Sequence, residues 1–582
     1  MNIADQLTKA LNYCQSSDFD KAIPIFKNIL RKKPDQIEAI ANLAVIFSNQ
    51  KKFTEAEKLF SKAITYGAKD RNIIFNQINI KIELKKIDEA NQLLEQFNQT
   101  KDIQFYLVNL KILRIKNKKS MAMDVINEIT HSSFYQNYEL RLGVAYTYNY
   151  FKNYPEAICL YKDLYKENKQ NTTVLFNLGV SLNNNHNYSE AVEYFRKAEV
   201  YTGFDSTIKK NIAASFLHQE MYSAALDELQ KCIKIDKSDY DCHMKMAYIH
   251  ILEEKISKAI EIYDEVIAVE PTFYTAWQDK SFIKLVMSEF SQGWDLYRYR
   301  QLQDSKKCKV DDFGVMNIDW DKKINIHQEQ GVGDWIFHLR FLSLVKDKYK
   351  NISISIDERI HPILKENFPG ITFNIDSIID RDEQNINLAT IGRFLINSKD
   401  DIKRIKNWTI SKPLEKSIIN NTYSKTKKNI GLSWMSENKD WGDNKSMDIS
   451  LLRPLIEKSE YNFINLQYGE IKNQINKYSK SFNIDIKNEH GIDVYNNIYG
   501  LAQLINECDI IVTISNLNAH IAGSLGKKTF LLLPKSNGKM WYWTEEEDVS
   551  NWYPSVTVIR QNKNESWKES IDKTIDLIEK SR

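Results

Sequence analysis

Two glycines and a carboxylate lie close together in segment 330–334, QGVGD, directly after a run of β-branched residues. Glycine permits a tight turn and lets a ligand approach the backbone, and the start of a following helix favours an anion. The pattern GxGxxG is not completed, because position 336 is isoleucine. The segment therefore has two interpretations: a ligand-binding loop, or a plain strand-to-helix turn in which Asp334 balances the helix dipole.

A second polar segment starts at residue 429 with the apolar run NIGLSW and continues through a loop into a helical pattern. Ser433, Lys445 and Ser446 carry hydroxyl and ammonium groups, which can donate hydrogen bonds to a phosphate. Ser446 or Asp448 is also suited to cap the helix that follows. Phosphate binding and a solvated polar loop are the two alternatives for this segment.

A third segment, ISNLNAHIAGSLGKK at 514–528, places Ser515 and Asn516 at the carboxyl end of an apolar run. His520 and Gly523 follow in a helical pattern, where a histidine has either a functional or a structural role and glycine permits close packing. The aromatic-rich segment 541–561 is either core or a stacking wall beside a cleft. These polar groups bind a common ligand only if the fold brings the segments together.

The elements that would position these groups are short β-branched runs separated by helical patterns. We predict buried strands at 324–328, 352–356, 429–434, 462–467, 509–515 and 528–534. Alternating strands and helices favour a parallel sheet that is covered on both faces. A polar stretch at 410–429 divides the set, which predicts two small doubly wound domains facing a cleft, with ligands at the carboxyl ends of the strands.

The first half of the chain has a different organisation, because small residues recur there at a fixed spacing. They stand at Ala22, Ala56, Ala90, Ala157, Ala191, Ala225, Ala259 and Gly293. The steps are 34 residues except for one of 67, which we interpret as two repeats of which one has drifted. A second, mostly small position lies 12 residues upstream of each and a large apolar residue lies 4 residues downstream.

This pattern resembles the tetratricopeptide repeat. Two antiparallel helices cross closely where both carry small side chains, and the large residue one turn later fills the neighbouring groove. We expect about nine repeats over residues 3–300, stacked into an all-α right-handed superhelix with a concave groove.

One polar position recurs within these repeats. In the repeat frame, the sixth residue is Asn42, Asn76, Asn109, Asn177 and Asn211. An asparagine amide can donate to one backbone group and accept from another, so a row of asparagines is suited to hold an extended peptide. The row resembles the asparagine ladder of eukaryotic nucleocytoplasmic O-GlcNAc transferase. The alternative is that each asparagine merely bonds the adjacent repeat.

Composition excludes several classes of protein. The chain has 582 residues with 42% apolar residues, which argues against wholesale disorder, and a formal charge of +3, which gives no global attraction for nucleic acid. Its six cysteines include no CxxC pair, so the sequence offers neither a zinc site nor a disulfide framework. Because no signal peptide or membrane-spanning run is evident, we expect a cytoplasmic protein.

Six segments together resemble the glycosyltransferase domain related to bacterial heptosyltransferases, in the version carried behind tetratricopeptide repeats. They are GWDLYRYR at 293–300, HQEQGVGDWIFHLRFL, IGLSWMSENKDWGDNKSMDISLLRPL, FINLQYGE, CDIIVTISNLNAHIAGSLGKKTFLLLP and WYPSVTVIRQ. The resemblance implies a GT-B fold of two Rossmann-like lobes. The implied organisation is a repeat array at 1–303, an acceptor lobe at 304–426 and a nucleotide-sugar lobe at 427–582.

The resemblance also implies roles for individual residues. Asp334 is the expected base that deprotonates the acceptor hydroxyl, with Glu329 as the second choice or as a residue that orients the loop. The loop glycines Gly331 and Gly333 are expected to face the acceptor. The expected donor-binding residues are Ser433, Lys445, Ser446, Gln467, Ser515, Asn516, His520 and Gly523.

Two features of this family bear on the chemistry. Transferases of this fold typically need no divalent metal, since cationic side chains and helix N-termini stabilise the departing phosphate; accordingly we expect no metal and no cofactor beyond the nucleotide sugar. Many relatives carry an aspartate followed by threonine or asparagine before the AH pair, where this chain has Ser515 and Asn516. The missing acid leaves the contact with the donor undetermined.

Three functions compete. The first is a protein glycosyltransferase that holds a polypeptide in its repeats and glycosylates serine or threonine, in the layout of bacterial flagellin glycosyltransferases. The second is a transferase that acts on lipopolysaccharide or another glycan. The third is a scaffold whose transferase-like domain has decayed, which the pair Ser515 and Asn516 favours, whereas the retained Asp334, Lys445 and His520 argue against it.

Overall fold

The computed structural model describes residues 2–96, 101–303, 310–377, 379–380, 382–411, 426–436, 442–469, 475, 486, 491–534, 540–543, 548–561 and 567–580, with only the backbone of 443–444. The chain divides into two compact units, Met1–Ile249 (unit 1) and His250–Arg582 (unit 2). Residues 304–309 and most of the predicted linker at 410–429 lie outside the described ranges. The predicted domain boundaries at 303 and 426 therefore stay predictions.

Unit 1 consists of helices joined by short turns. They are α1 (Ile3–Gln15), α2 (Phe19–Lys32), α3 (Ile37–Asn49), α4 (Phe53–Thr65), α5 (Arg71–Glu83), α6 (Ile87–Glu95), α7 (Ile103–Ile115), α8 (Lys119–Thr130), α9 (Tyr138–Tyr150), α10 (Tyr154–Glu167), α11 (Thr172–Asn184), α12 (Tyr188–Thr202), α13 (Ser206–His218) and α14 (Tyr222–Ile235), and α15 (Tyr240–Leu252) contains the boundary. From α3 to α13, the first helices of neighbouring pairs contact one another.

A residue with left-handed backbone follows the first helix of each described pair. These residues are Ser17, Lys51, Lys85, Asn117, Lys152, His186, Glu220, Glu254 and Ser288, all with φ between 52° and 64°. The chain must reverse within about three residues between the helices of a pair, and a left-handed residue closes such a turn. Because none of the nine is glycine, tertiary packing holds this conformation against its local cost.

The left-handed turn residues show where the drifted repeat lies. Asn117 lies between Lys85 and Lys152, and five residues after it stands Ala122, which is fully buried in α8. The chain therefore forms a helix pair, α7 and α8, inside the step of 67 residues, as predicted. A close contact explains why small residues recur, since a Cβ added at Gly179 would lie 2.6 Å from the ring of Phe195.

After the end of α15, unit 2 has four described helices, α16 to α19, and then continues as an α/β region. The helices are α16 (Ile256–Val269), α17 (Tyr274–Val286), α18 (Phe290–Tyr297), α19 (Arg300–Gln303), α20 (Val332–Leu339), α21 (His361–Asn367), α22 (Ile391–Leu395), α23 (Lys399–Arg404), α24 (Gly442–Lys445), α25 (Arg453–Ile456), α26 (Ile498–Asn506), α27 (Leu517–Ser524) and α28 (Trp567–Glu579). The strands are β1 (Ile324–His327), β2 (Ile352–Ser355), β3 (Thr372–Asn374), β4 (Gln384–Asn387), β5 (Lys428–Ser433), β6 (Tyr461–Asn465), β7 (Ile510–Ile514), β8 (Lys528–Leu533) and β9 (Val556–Arg560).

The strands form two wholly parallel sheets. The first has the order β3-β2-β1-β4 and the second the order β6-β5-β7-β8-β9. The central strands β1 and β7 are buried along their whole length, as expected for strands covered on both faces. The chain reverses its direction of strand addition between β1 and β4 and between β5 and β7, and ligands bind at such switch points in open α/β sheets.

The last repeat helices belong to the core of unit 2. Trp294 of α18 packs against Gly392 of α22, where an added Cβ would lie 2.7 Å from the indole ring. Trp294 also contacts Trp541 edge-on, with ring centroids 5.6 Å apart. The compact unit therefore starts upstream of the predicted boundary at 303, because the segment GWDLYRYR supplies core residues to the α/β region.

Candidate functional site

The QGVGD loop leaves β1 through one strained residue. Gln330 adopts a left-handed backbone with φ of 64°, and its amide donates to the hydroxyl of Tyr297 at 2.9 Å. Non-glycine residues in this conformation persist only where their surroundings hold them, and they concentrate at functional sites. The hydrogen bond to Tyr297 of α18 therefore holds the loop in place just before α20 begins.

Asp334 lies in the first turn of α20, and both of its carboxylate oxygens accept hydrogen bonds. Oδ1 accepts from the hydroxyl of Tyr542 at 3.0 Å, and Oδ2 accepts from the backbone N–H of Gly331 at 3.3 Å. Burial raises the pKa of the Asp334 carboxyl, and this effect outweighs the lowering by the two hydrogen bonds. Asp334 therefore combines the turn-stabilising role with a carboxylate that binds protons more tightly than usual.

Glu329 is held in a buried ion pair. Its Oε1 lies 2.7 Å from an Nη of Arg300, and its Oε2 accepts from Nε of Arg300 at 3.2 Å. Oε1 also accepts from the backbone N–H of Ala389 at 2.8 Å, which joins the loop after β1 to the segment after β4. This arrangement fits the loop-orienting role, because these contacts of the carboxylate hold the first switch point together.

His520 joins the two sheets. It lies in the first turn of α27, after β7, and a Cβ added at Gly333 of α20 would lie 3.0 Å from its ring. Its Nδ1 is hydrogen-bonded to the hydroxyl of Tyr553 at 2.9 Å. Burial lowers the pKa of His520 to about 3, with a further lowering by the charge of Lys445. The imidazole is therefore neutral at pH 7, and the helices after the two central strands meet at their N-terminal turns.

Two buried cations lie near the point where these helices meet, and neither forms an ion pair with a carboxylate among the described residues. Lys445 in α24 is 8% exposed, and within the described ranges no group accepts a hydrogen bond from it or lies at ion-pair distance. Arg340 is 1% exposed, donates to the carbonyl of Trp552 at 2.8 Å and lies 4.0 Å from the ring centre of Tyr553. Burial lowers the pKa of both groups, and the charge of Asp334 opposes this for Lys445.

Three predicted donor-binding residues bond to one another at the second switch point. Asn516 donates to Oγ of Ser433 at 2.7 Å, and Ser433 donates to Oε1 of Gln467 at 3.1 Å. The same Oε1 accepts from the backbone N–H groups of Trp434 and Met435. The structure thus brings the three residues together, but as a network that links β5, β6 and β7.

The remaining predicted donor-binding residues have local contacts. Ser446 donates to the carbonyl of Gly442 at 2.7 Å and accepts from the N–H of Ser436 at 2.9 Å, so it links Ser436 to α24. Ser515 is buried beside Asn516. A Cβ at Gly523 would overlap the ring of Tyr553, so this glycine has the packing role that the sequence also allows.

The asparagine row is shorter than the sequence predicts. Asn42, Asn76, Asn177 and Asn211 each precede the left-handed turn residue of their pair by nine positions. Asn109 precedes Asn117 by only eight, so it is not equivalent to them, and Val108 occupies the position instead. The prediction for Asn109 is therefore wrong, because the drifted repeat is shorter between turns and rotates the residue by about 100° around the helix.

The amides of this row are partly engaged already. Asn42, Asn177 and Asn211 each donate to the carbonyl four residues earlier, at 2.8–2.9 Å. Each retains its carbonyl oxygen and one N–H for a ligand. Asn76 lines a cavity of about 330 Å³ together with Asn49 and Asn79. Peptide binding by the row stays a prediction.

Several residues at the junction carry no signal in the sequence pattern. Tyr542, Arg300 and Arg340 lie in the segments WYW, GWDLYRYR and HLRFL, which predict core or family resemblance but no partner. Their contacts depend on tertiary packing between distant segments.

The described residues include neither a metal-binding cluster nor a membrane-spanning helix. No group of three or more histidine, cysteine, aspartate or glutamate side chains is placed there to hold a metal ion. No helix in the described part of the chain combines the length and apolarity needed to cross a membrane. Metal-independent chemistry and a cytoplasmic location stay expectations.

Comparison with known proteins identifies the repeats. A family model described as tetratricopeptide repeat matches residues 14–73. Protein FlbA of Caulobacter vibrioides is 22% identical over 299 residues, which cover 46% of this chain and 48% of FlbA. The chain therefore spans about half the length of the curated relative that it matches.

Solved structures of repeat proteins are similar to part of this chain. A tetratricopeptide repeat protein from Parabacteroides merdae is 15% identical, with 42% of this chain and 98% of that protein covered and a TM-score of 0.36. The C-terminal part of a repeat-containing protein from Cytophaga hutchinsonii is 18% identical, with 40% and 97% covered and a TM-score of 0.31. With the matched family model and the regular turns, the N-terminal region of this chain is an all-helical array of tetratricopeptide repeats.

Proposed function

We propose that unit 2 is a GT-B glycosyltransferase that moves a sugar from a nucleotide-sugar donor to a serine or threonine hydroxyl of a protein. The observation that carries the proposal is the contact between Gly333 and His520. It joins the first turns of the helices that follow the central strands of two parallel sheets. Ligands of such sheets bind at the carboxyl ends of the strands, so one ligand site is bounded by both sheets.

The charges at this junction suit phosphate. Lys445 and Arg340 are buried cations that form no ion pair with a carboxylate among the described residues, although the charge of Asp334 acts on Lys445; Glu329 is neutralised by Arg300. A buried charge that is only partly compensated is costly, and an anionic ligand would reduce that cost. A phosphate group also accepts hydrogen bonds from the ammonium and guanidinium groups, which are charge-assisted and strong.

Asp334 is the proposed general base. It takes the proton from the acceptor hydroxyl while the hydroxyl oxygen forms a bond to the anomeric carbon, and the bond from that carbon to the phosphate oxygen breaks. The electron pair leaves with the phosphate, whose charge Lys445 stabilises. Burial raises the pKa of Asp334 above its ordinary value, which brings the carboxyl closer to the range in which a general base is efficient.

A thermal-shift screen of the full chain against UDP, GDP, CMP and ADP sugars tests the proposal. A ligand at about 100 times its dissociation constant should add about 2.7 kcal/mol to the free energy of unfolding. Lys445→Met should remove the shift. Lys528→Met is the matched control, because Lys528 is exposed at the start of β8, the opposite end of the strand from the proposed site.

Donor hydrolysis and transfer to a protein acceptor are then measured with Asp334→Asn. A general base contributes about 10²–10⁴ in rate, so transfer should fall by that factor while donor binding persists. Turnover within about threefold of the parent chain would remove Asp334 from the mechanism. If no nucleotide sugar shifts the melting temperature of the parent chain, the transferase proposal is wrong.

The network at the second switch point favours one alternative, a scaffold with a decayed site. Ser433, Gln467 and Asn516 already bond to one another, so a donor would have to replace those hydrogen bonds. A chain that binds a protein partner but neither binds nor hydrolyses any nucleotide sugar would establish this alternative. Binding of a donor would exclude it.

A further inference from the structure

A hydrophobic patch with one arginine lies on the first helices of the fourth and fifth repeats of unit 1. It consists of Arg114 and Ile115 on α7 and Tyr146 and Tyr150 on α9, and these two helices contact each other. Ile115 is 47% exposed, Tyr146 44% and Tyr150 46%. We call this set the Arg114 patch.

The position of the three apolar residues within their repeats shows that they share one face. Ile115 and Tyr150 each precede the left-handed turn residue by two positions, and Tyr146 lies one helical turn before Tyr150. Residues one turn apart on neighbouring helices in the same register form a contiguous surface. In the adjacent repeats, the position two before the turn is polar, namely Glu83 and Asn184.

Arg114 is partly buried and contacts two residues of α9. Its Nη1 donates to Oγ1 of Thr147 at 2.5 Å, and its guanidinium lies 4.8 Å from the ring centre of Tyr146. No carboxylate lies at ion-pair distance from Arg114 within the described ranges, whereas Lys111, one turn earlier, pairs with Glu83 at 3.1 Å. Burial lowers the pKa of Arg114, so its charge is incompletely compensated.

The asparagine row is interrupted at the same two repeats. At the position where the two adjacent repeats carry Asn76 and Asn177, the fourth and fifth repeats carry Val108 and Gly143. A Cβ at Gly143 would lie 2.6 Å from Leu107, so the helices approach too closely there for an asparagine. This part of the surface therefore lacks asparagine side chains that could bond to a peptide backbone. Its exposed groups are instead the tyrosine rings and the guanidinium of the Arg114 patch.

We propose that the Arg114 patch binds a segment of a partner protein in which an acidic side chain is next to an aromatic or large aliphatic one. The carboxylate supplies the counter-charge that Arg114 lacks, and a guanidinium pairs with a carboxylate through two parallel hydrogen bonds. The apolar side chain covers Ile115, Tyr146 and Tyr150, since aromatic residues at such surfaces anchor partners. The proposal is independent of the transferase activity and is tested without a donor.

The test measures the affinity of the full chain for three short fluorescein-labelled peptides of glycine, serine and asparagine, by fluorescence anisotropy. They differ only in a central Glu-Phe-Glu, Lys-Phe-Lys or Glu-Ser-Glu. The first should bind at least about tenfold more tightly than the other two, because only it has both the charge and the ring. Added salt should weaken this binding, as it does for exposed charges.

Arg114→Gln should lower the affinity for the Glu-Phe-Glu peptide by about tenfold or more. Arg31→Gln and Tyr66→Ala are matched controls, since both residues are exposed elsewhere in unit 1. If Arg114→Gln unfolds the chain, Ile115→Ser replaces it, because that side chain is largely exposed. Affinity that survives both substitutions, or equal binding of all three peptides, overturns the proposal.

Two other occupants of the patch are separate outcomes. A dimer that sedimentation velocity detects in the parent chain, and that Ile115→Ser abolishes, would show that a second copy covers the patch. Binding to anionic lipid vesicles that depends on Arg114 would show a membrane surface instead. Either outcome contradicts the peptide proposal.

Discussion

Substitution of Glu329 by glutamine separates a structural role from a catalytic one. The substitution leaves the shape of the side chain nearly unchanged but removes the charge that pairs with Arg300 at 2.7 Å. The side chains of Arg300 and Glu329 are 6% and 2% exposed, so solvent cannot replace the lost partner. Loss of one partner of a buried ion pair costs about 3–5 kcal/mol.

We expect about 3 kcal/mol, the low end of that range, because the glutamine carbonyl still accepts one of the hydrogen bonds from Arg300 or Ala389. For a domain of about 150–250 residues, each kcal/mol lowers the melting temperature by about 2–4 °C. Because unit 2 is longer than this, we take the low end, about 2 °C per kcal/mol, and expect the melting temperature to decrease by about 6 °C.

Tryptophan fluorescence isolates the effect, since all 11 tryptophans lie after residue 249 and report on unit 2 alone. Glu383→Gln is the matched control: Glu383 pairs with Lys323 at 2.8 Å, but the lysine side chain is 64% exposed, and such pairs contribute about 0–1 kcal/mol. If Glu329→Gln has the same melting temperature as Glu383→Gln but transfers the sugar about 100-fold more slowly, Glu329 takes part in the chemistry and the structural assignment is wrong.

Two further predictions concern unit 1. Gly179→Ala places a Cβ 2.6 Å from the ring of Phe195, so we expect a loss of about 1–3 kcal/mol in urea unfolding followed by far-UV circular dichroism; an unchanged midpoint would contradict the close packing. Burial alone would raise the pKa of Glu228, but its ion pairs with Arg196, Lys231 and Lys209 lower it from 4.5 to about 2. The contribution of Glu228 to the free energy of unfolding should therefore be complete above pH 4.5 and decline as the pH falls towards 2. Glu228→Gln should remove this part of the pH dependence of the melting temperature. An unchanged pH dependence would show that the ion pairs contribute nothing to stability.

The repeat array was predictable because its physical cause is local and repeated. Each pair of helices requires small residues where the helices cross, as at Gly179 against Phe195. Small residues therefore recur in the sequence at a fixed period. The drifted repeat was predicted, but its frame was not, since its turn, at Asn117, is displaced by two residues from the regular spacing. That displacement also made Asn109 look equivalent to the other asparagines.

The sheets were only partly predictable. The six strands read from the sequence are apolar runs, whereas β3 and β4 have the sequences TFN and QNIN, which are too short and polar to signal a strand. β4 nevertheless lies beside β1 and completes the first switch point. Its assignment depends on pairing with a strand that is about 60 residues away in the chain, and no local pattern contains that information.

The candidate site was predictable as a set of segments but not as a set of contacts. Glycine-rich turns and strand ends identified Asp334, His520 and Lys445, because those features have a local signature. The hydroxyl of Tyr542 on Asp334 and the ion pair between Arg300 and Glu329 bring together residues from distant segments. Such contacts are decided by packing, which a single sequence does not encode in any short pattern.

The substitution at Ser515 has a consequence for the charge of the proposed site. The glycosyltransferase domains that this region resembles often carry an aspartate at this position, and Ser515 is buried, so an acid there would add a buried negative charge to the proposed site. With serine, the proposed site gains no acid beyond Asp334, and Glu329 is already paired with Arg300. Because attraction for an anion grows with the uncompensated positive charge, the loss of the acid strengthens the case for a phosphate-bearing ligand and does not by itself argue for decay.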